Sequence, residues 1–145
     1  MRGLVTLTGA VLLLLAGCGS QAQPAGADPL CSASYAPREL VDTAQTAVLP
    51  TTPERKPAEA RTTDAAAIRK VVDAACGLPT PPQDIACTLE LGPSFQLRFV
   101  DTRGRTTTLT AEGYGCQFVE GLGSRRYDAE PLWDALTAAG LPAPR

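Results

Sequence analysis

Four cysteines in a short chain, Cys31, Cys76, Cys87 and Cys116, constrain this sequence most, because the segment ahead of them directs it to a compartment where thiols oxidise. Arg2 and the free amine make a small positive region, and residues 4–15 make an apolar core too short to span a bilayer. Small residues then lead to Cys18. This is the layout of a secretion signal, and disulfides persist outside the cytosol. With the leader set aside, the remaining length suits one small domain on a tether.

An even number of cysteines remains once Cys18 is set aside, so two bridges are expected. A zinc site would need close cysteine pairs or histidine, and the chain has neither a C-x2-C spacing nor any histidine. Four cysteines allow three pairings, and the sequence does not choose among them. The preferred set joins Cys87 to Cys116, tying the approach to a sheet to its later strand. It also joins Cys31 to Cys76, pinning the N-terminal arm to the end of a helix. Each bridge would close a loop of tens of residues, worth about 3 to 4 kcal/mol through the unfolded state.

The tetrapeptide Leu15-Ala16-Gly17-Cys18 resembles the lipobox of bacterial lipoproteins. The resemblance implies a diacylglycerol on the Cys18 thiol and cleavage just before it, making residues 1–17 a lipoprotein signal peptide. Two or more acyl chains anchor stably where one binds only marginally. The expected location is therefore the extracytoplasmic face of the cell membrane, and the membrane itself is the first partner. Residues 18–30 read as the lipidated cysteine and a flexible tether, and residues 31–145 as a single domain. The stretch GSQAQPAGADP has nothing to bury and reaches about 35 Å when extended at about 3.3 Å per residue. The net charge of −2 provides no field for nucleic acid or for a polybasic grip on anionic lipid.

The domain is expected to be α+β: a small antiparallel meander of three to four strands with two helices packed on one face. Residues 37–41 could open a helical turn, residues 44–49 an edge strand, and residues 50–60 a proline-rich loop. Thr63 is expected to cap a helix, with Asp64 at its positive end, because Ile68, Val71, Val72 and Ala75 recur at i, i+3, i+4 and i+7. Gly77 and Pro79 end it. Phe95, Leu97 and Phe99 alternate with Ser94, Gln96 and Arg98, a strand with one buried face. A turn at residues 101–104 returns it as a threonine-rich strand to Ala111. Residues 116–119 are expected as a third strand and about 129–139 as a final helix capped by Asp128 or Glu130, with a Schellman stop at Gly140-Leu141. The expected core sets Phe95, Leu97, Phe99, Leu109 and Phe118 against Ile68, Val71, Val72, Leu132 and Leu136.

From about Thr63 to Leu141, the segments TTDAAAIRKVV, PSFQLRFVDTRGR, GYGCQF and PLWDAL resemble a broad set of exported actinobacterial lipoproteins of no assigned function. That resemblance implies the same fold and favours the Cys87–Cys116 bridge. It names no catalytic residue.

Lacking histidine, the chain has no Ser-His-Asp or Cys-His machinery, and its only lysines, Lys56 and Lys70, sit in solvated contexts. No catalytic residue, metal ligand or cofactor is assigned. Arg125 and Arg126, with Tyr127 beside them and Trp133 near, form the local cluster suited to an anionic or ring-bearing ligand. The same residues would serve equally as an exposed loop and a core tryptophan. The leading expectation is a non-enzymatic module that binds an envelope protein or polymer. One rival is a glycan or envelope-polymer hydrolase working with paired carboxylates. The other is a small secreted-protease inhibitor presenting residues 50–60 or 101–105. Replacing Cys18→Ser should move the protein from the membrane fraction to the soluble extracytoplasmic one; an unmodified Cys18 by mass spectrometry of the native chain would contradict the anchor.

Overall fold

The computed structural model describes residues 28–45 and 58–144. The leader, Cys18, residues 19–27 of the tether and residues 46–57 lie outside the described residues. Leu30, placed in the tether by sequence, is fully buried within a 3-10 turn at Pro29–Cys31, so the packed domain includes it.

The described residues form an α+β domain. Strands β1 (Pro37–Gln45), β2 (Ala58–Thr62), β3 (Ser94–Asp101), β4 (Thr106–Glu112) and β5 (Val119–Glu120) make one antiparallel sheet in the order β2-β1-β3-β4-β5. Helices α1 (Ala65–Gly77) and α2 (Glu130–Ala138) share the core with the sheet, and α1 packs on α2 and on β1. The sheet therefore has five strands rather than three or four. Only its β3-β4-β5 half is a simple meander.

The additional strands come from residues 37–45 and 58–62, where a helical turn at 37–41, an edge strand at 44–49 and a loop at 50–60 were expected; residues 44–45 end β1, and residues 46–49 lie outside the described residues. Leu40 and Asp42 stand opposite Phe99 and Leu97 of β3 in register, so alternate positions of β1 share the core face. On the opposite face Val41 is also buried, flanked in register by Arg61 and Arg98, whose long stems can lie along apolar surface. Two adjacent buried residues followed by an inward aspartate hide the period of two. β2 is hard to read for another reason: its inward positions Ala58 and Ala60 are alanine, a weak strand former.

β3 and β4 follow the expected pattern. Phe95, Leu97 and Phe99 pair with Ala111, Leu109 and Thr107, and the apolar members meet Ile68, Val71, Val72, Leu132 and Leu136 in one buried cluster. Each large side chain buried this way is worth about 2 kcal/mol. Val119 rather than Phe118 supplies the β5 contribution, because residues 113–117 turn before the strand begins. Beyond β5, Gly121 has φ +106°, and a Cβ there would lie 2.4 Å from the Thr108 carbonyl oxygen, so only glycine lets the chain leave the sheet at that point.

Helix ends differ from expectation by one residue or more. Asp64, not Thr63, caps α1: its Oδ1 accepts from the amides of Ala66 and Ala67 at 2.9 and 3.1 Å. Neither Asp128 nor Glu130 caps α2, which starts from Ala129 without a side-chain cap. The Schellman stop forms as expected, with the Leu141 amide on the Leu136 carbonyl at 2.9 Å and the Gly140 amide on that of Thr137 at 3.0 Å. Both disulfides adopt the preferred pairing. Cys31–Cys76 ties the N-terminal turn to the last turn of α1, and Cys87–Cys116 ties the approach to β3 to the link after β4.

Two carboxylates are buried, Asp42 and Asp101. Asp42 is fully buried, and neither of its carboxylate oxygens has a hydrogen-bond partner among the described residues. Burial pushes its pKa up to about 7. A folded-state value above the unfolded one means that the native state favours the protonated acid. That contribution is complete below the ordinary carboxylate range and is lost as pH rises through about 7. The protein should therefore melt lower at pH 8 than at pH 5. Asp42→Asn should flatten that dependence, gaining up to about 4 kcal/mol at the alkaline end by urea titration, since each pKa unit is worth about 1.4 kcal/mol.

Candidate functional site

Residues 85–93 belong to no helix or strand. The alternation Thr88-Leu89-Glu90-Leu91 would suit a half-buried strand, yet Gly92-Pro93 intervenes before β3 and the segment stays off the sheet. Leu89 and Leu91 are 104% and 81% exposed, the two large apolar side chains left in solvent among the described residues.

Although it is exposed, the segment is held at both ends by the turn at residues 113–117. Cys87 is bonded to Cys116, with the Cα atoms 5.1 Å apart. A Cβ on Gly115 would lie 3.2 Å from the Thr88 carbonyl oxygen, and one on Gly92 would lie 2.9 Å from the Cβ of Tyr114. The Gly113 amide donates to the Pro93 carbonyl at 3.0 Å. Glycines on both sides thus allow two stretches of backbone to lie almost in contact. The turn anchors the two ends of a segment whose leucines, Leu89 and Leu91, stand in solvent between them.

Residues 101–105, expected as an alternative presenting loop, form a closed turn instead. Asp101 Oδ1 accepts from the amides of Arg103 and Arg105 at 2.8 and 2.9 Å, and Oδ2 accepts from Arg105 Nε at 2.7 Å. Burial pushes the Asp101 carboxyl up, but the Arg105 side chain, these backbone amides and the Arg105 charge outweigh it and hold the group below its usual range. Backbone tied to its own side chain in this way cannot enter a cleft as a strand. Of the 50–60 loop, residues 58–60 belong to β2 and the remainder lies outside the described residues.

The four residues suggested as a ligand cluster divide into two pairs. Arg125 Nε donates to Glu120 Oε1 at 2.9 Å, and its guanidinium lies 4.8 Å from the centre of the Phe118 ring. Arg126 Nη1 donates to the Leu78 carbonyl at 3.1 Å, while the Tyr127 amide donates to that of Pro79 at 3.1 Å. Both arginines therefore secure the chain. Tyr127 and Trp133 come together in a groove of about 630 Å³ between the 113–117 turn and the start of α2. Trp133 is almost buried, tilted against Phe95 at 5.1 Å between ring centres, and its indole nitrogen donates to Gln117 Oε1 at 3.2 Å. Asp128, Glu130 and Asp134 also line the groove, and no lysine or arginine does.

Leu89 and Leu91 are the functional candidates that the sequence reading passed over. The available signal was a period of two between a cysteine and Gly-Pro, which also describes an ordinary strand start. Comparisons with sequence families, with curated proteins and with solved structures each find no match for this chain. The functional reading therefore rests on the site itself.

Proposed function

We propose that this protein is a lipid-anchored, extracytoplasmic, non-enzymatic binding module, and that its partner is a secreted or envelope-bound protease, which it inhibits. The leader and lipobox of the sequence support the location, and two disulfides suit an oxidising compartment. The observation that carries the inhibitor reading is Leu89, fully exposed two residues beyond a disulfide, on a segment anchored at both ends to the 113–117 turn.

The physical argument is one of preorganisation. Proteases bind substrate as an extended strand with one side chain in a primary pocket, and a flexible peptide loses conformational entropy on adopting that form. A strand already fixed by a covalent staple and a backing turn avoids most of that cost, so the same contacts yield tighter binding. Leu89 would enter the primary pocket, and Leu89–Glu90 would be the peptide bond placed at the nucleophile. If that bond were cut, the new end at Leu89 would stay tied to the domain through Cys87, and the one at Glu90 would stay tied through Gly92 and Pro93. The two ends would remain poised to rejoin. Leucine suits a pocket for large apolar side chains, as in subtilisin-type and chymotrypsin-type enzymes.

Titrating the protein against enzymes of both types should give stoichiometric, tight inhibition, and Leu89→Lys should transfer it to trypsin-type enzymes with at least a hundredfold loss on the original targets, about 3 kcal/mol. Rapid turnover of the protein as a substrate, or inhibition indifferent to residue 89, would refute the assignment.

A further inference from the structure

The groove beside the stapled segment has no role in the inhibitor reading so far. Its wall includes Ile85 and Ala86, which lead directly into Cys87, and Gly115 and Cys116, the turn that backs the segment. Groove and segment are therefore one continuous surface. A protease seated on Leu89 must pass over or beside the groove, since Ala86 and Leu89 are three residues apart, at most about 10 Å along the chain.

The groove has one sign of charge. Asp128, Glu130 and Asp134 are all exposed along it. The cations nearest in sequence are already engaged: Arg125 with Glu120 and Arg126 with the Leu78 carbonyl. Tyr127 and Trp133 also line it, the indole fixed by its bond to Gln117 and the Tyr127 backbone by its bond to Pro79. A concave surface with carboxylates along it and aromatic side chains in its wall complements a basic partner.

We infer that this groove is an exosite that receives a basic surface loop of the target protease, carrying arginine or lysine, next to the primary pocket that takes Leu89. The inference rests on the inhibitor reading and extends it from the reactive strand to the choice of partner. Leu89 sets the class of primary pocket, and the groove selects among proteases of that class those with basic residues flanking the cleft. Carboxylates at the edge of an interface act mainly through long-range attraction, so their effect falls on the association rate rather than on dissociation.

The test uses the full-length protein and two subtilisin-type proteases of the same apolar preference, one basic around its cleft and one acidic. Association and dissociation rates are measured by stopped flow from low to high ionic strength. For the basic enzyme, the combined variant D128N/E130Q/D134N should associate about tenfold more slowly than the unaltered protein at low salt, with dissociation little changed. The difference should vanish near 1 M salt, where screening acts within about 3 Å. For the acidic enzyme the variant should associate no more slowly than the unaltered protein. Asparagine tolerates the left-handed backbone of position 128, at φ +58°, and circular dichroism verifies the fold. The salt dependence of the unaltered protein gives a second reading that requires no substitution: association with the basic enzyme should slow as salt rises. Equal rates for variant and unaltered protein with the basic enzyme, or equal losses with both enzymes, would overturn the exosite while leaving inhibition intact. Absence of inhibition by the unaltered protein would overturn both readings.

Discussion

The bond between Cys87 and Cys116 is the constraint on which the functional surface depends. It joins the chain just before β3 to the turn just after β4, two neighbouring strands, so it adds little to the sheet that backbone pairing does not already supply. What it fixes is the segment beyond it. Residues 88–91 have no place on the sheet, expose two leucines and would fray without a covalent hold. Gly113 and Gly115 let the turn approach Pro93 and Thr88 at the two ends of this segment, and Gly92 lets the chain pass Tyr114. The other bridge, Cys31–Cys76, does the complementary work of closing the far side of the domain. By the loop-entropy argument each is worth about 4 kcal/mol, a large share of what a domain this small can gather from its core.

Behind that surface the domain is built from ordinary parts. β3 and β4 carry the apolar face, α1 and α2 cover it, and Trp133 links the two by packing on Phe95 within the core while it also lines the groove. The same helix start that supplies Trp133 to the core supplies Glu130 and Asp134 to the groove. Core packing thus positions the polar surface. Asp42 runs against this economy: a carboxyl buried without partners weakens the fold wherever it is ionised.

Much of this architecture was legible in the sequence wherever one periodicity dominated. The helix through Ile68 and Val72, the hairpin of β3 and β4 and the Schellman stop at Gly140 each have a local signature that tertiary contacts reinforce. β1 escaped because Leu40 and Val41 are buried on opposite faces and Asp42 occupies a core position, so the pattern matches neither a helix nor a half-wet strand. Arg125 and Arg126 looked like ligand residues because guanidinium groups next to tyrosine suit anions. In the fold, Glu120 and the Leu78 carbonyl occupy them, a pairing between residues 48 apart in the Arg126 case that no local reading reaches. The exposed segment at residues 88–91 was hidden for a subtler reason. Alternation of Thr88, Leu89, Glu90 and Leu91 predicts burial of the leucines, and only the turn beneath them reveals that they face solvent.

The proposed lipid tether and the proposed inhibitory segment would fit together, because an inhibitor confined to a membrane surface would act at high local concentration on enzymes that pass it. The physical core of the account is that the staple, rather than the sequence of the strand, separates an inhibitor from a substrate. The rate at which an apolar-preferring protease cuts the Leu89–Glu90 bond, compared between the native protein and C87S/C116S, tests it most directly. The account predicts that the native bond survives in a stable complex and that the variant, still folded around β3 and β4, is cut there and released. Equal cleavage of the two proteins, or equal resistance, would contradict it.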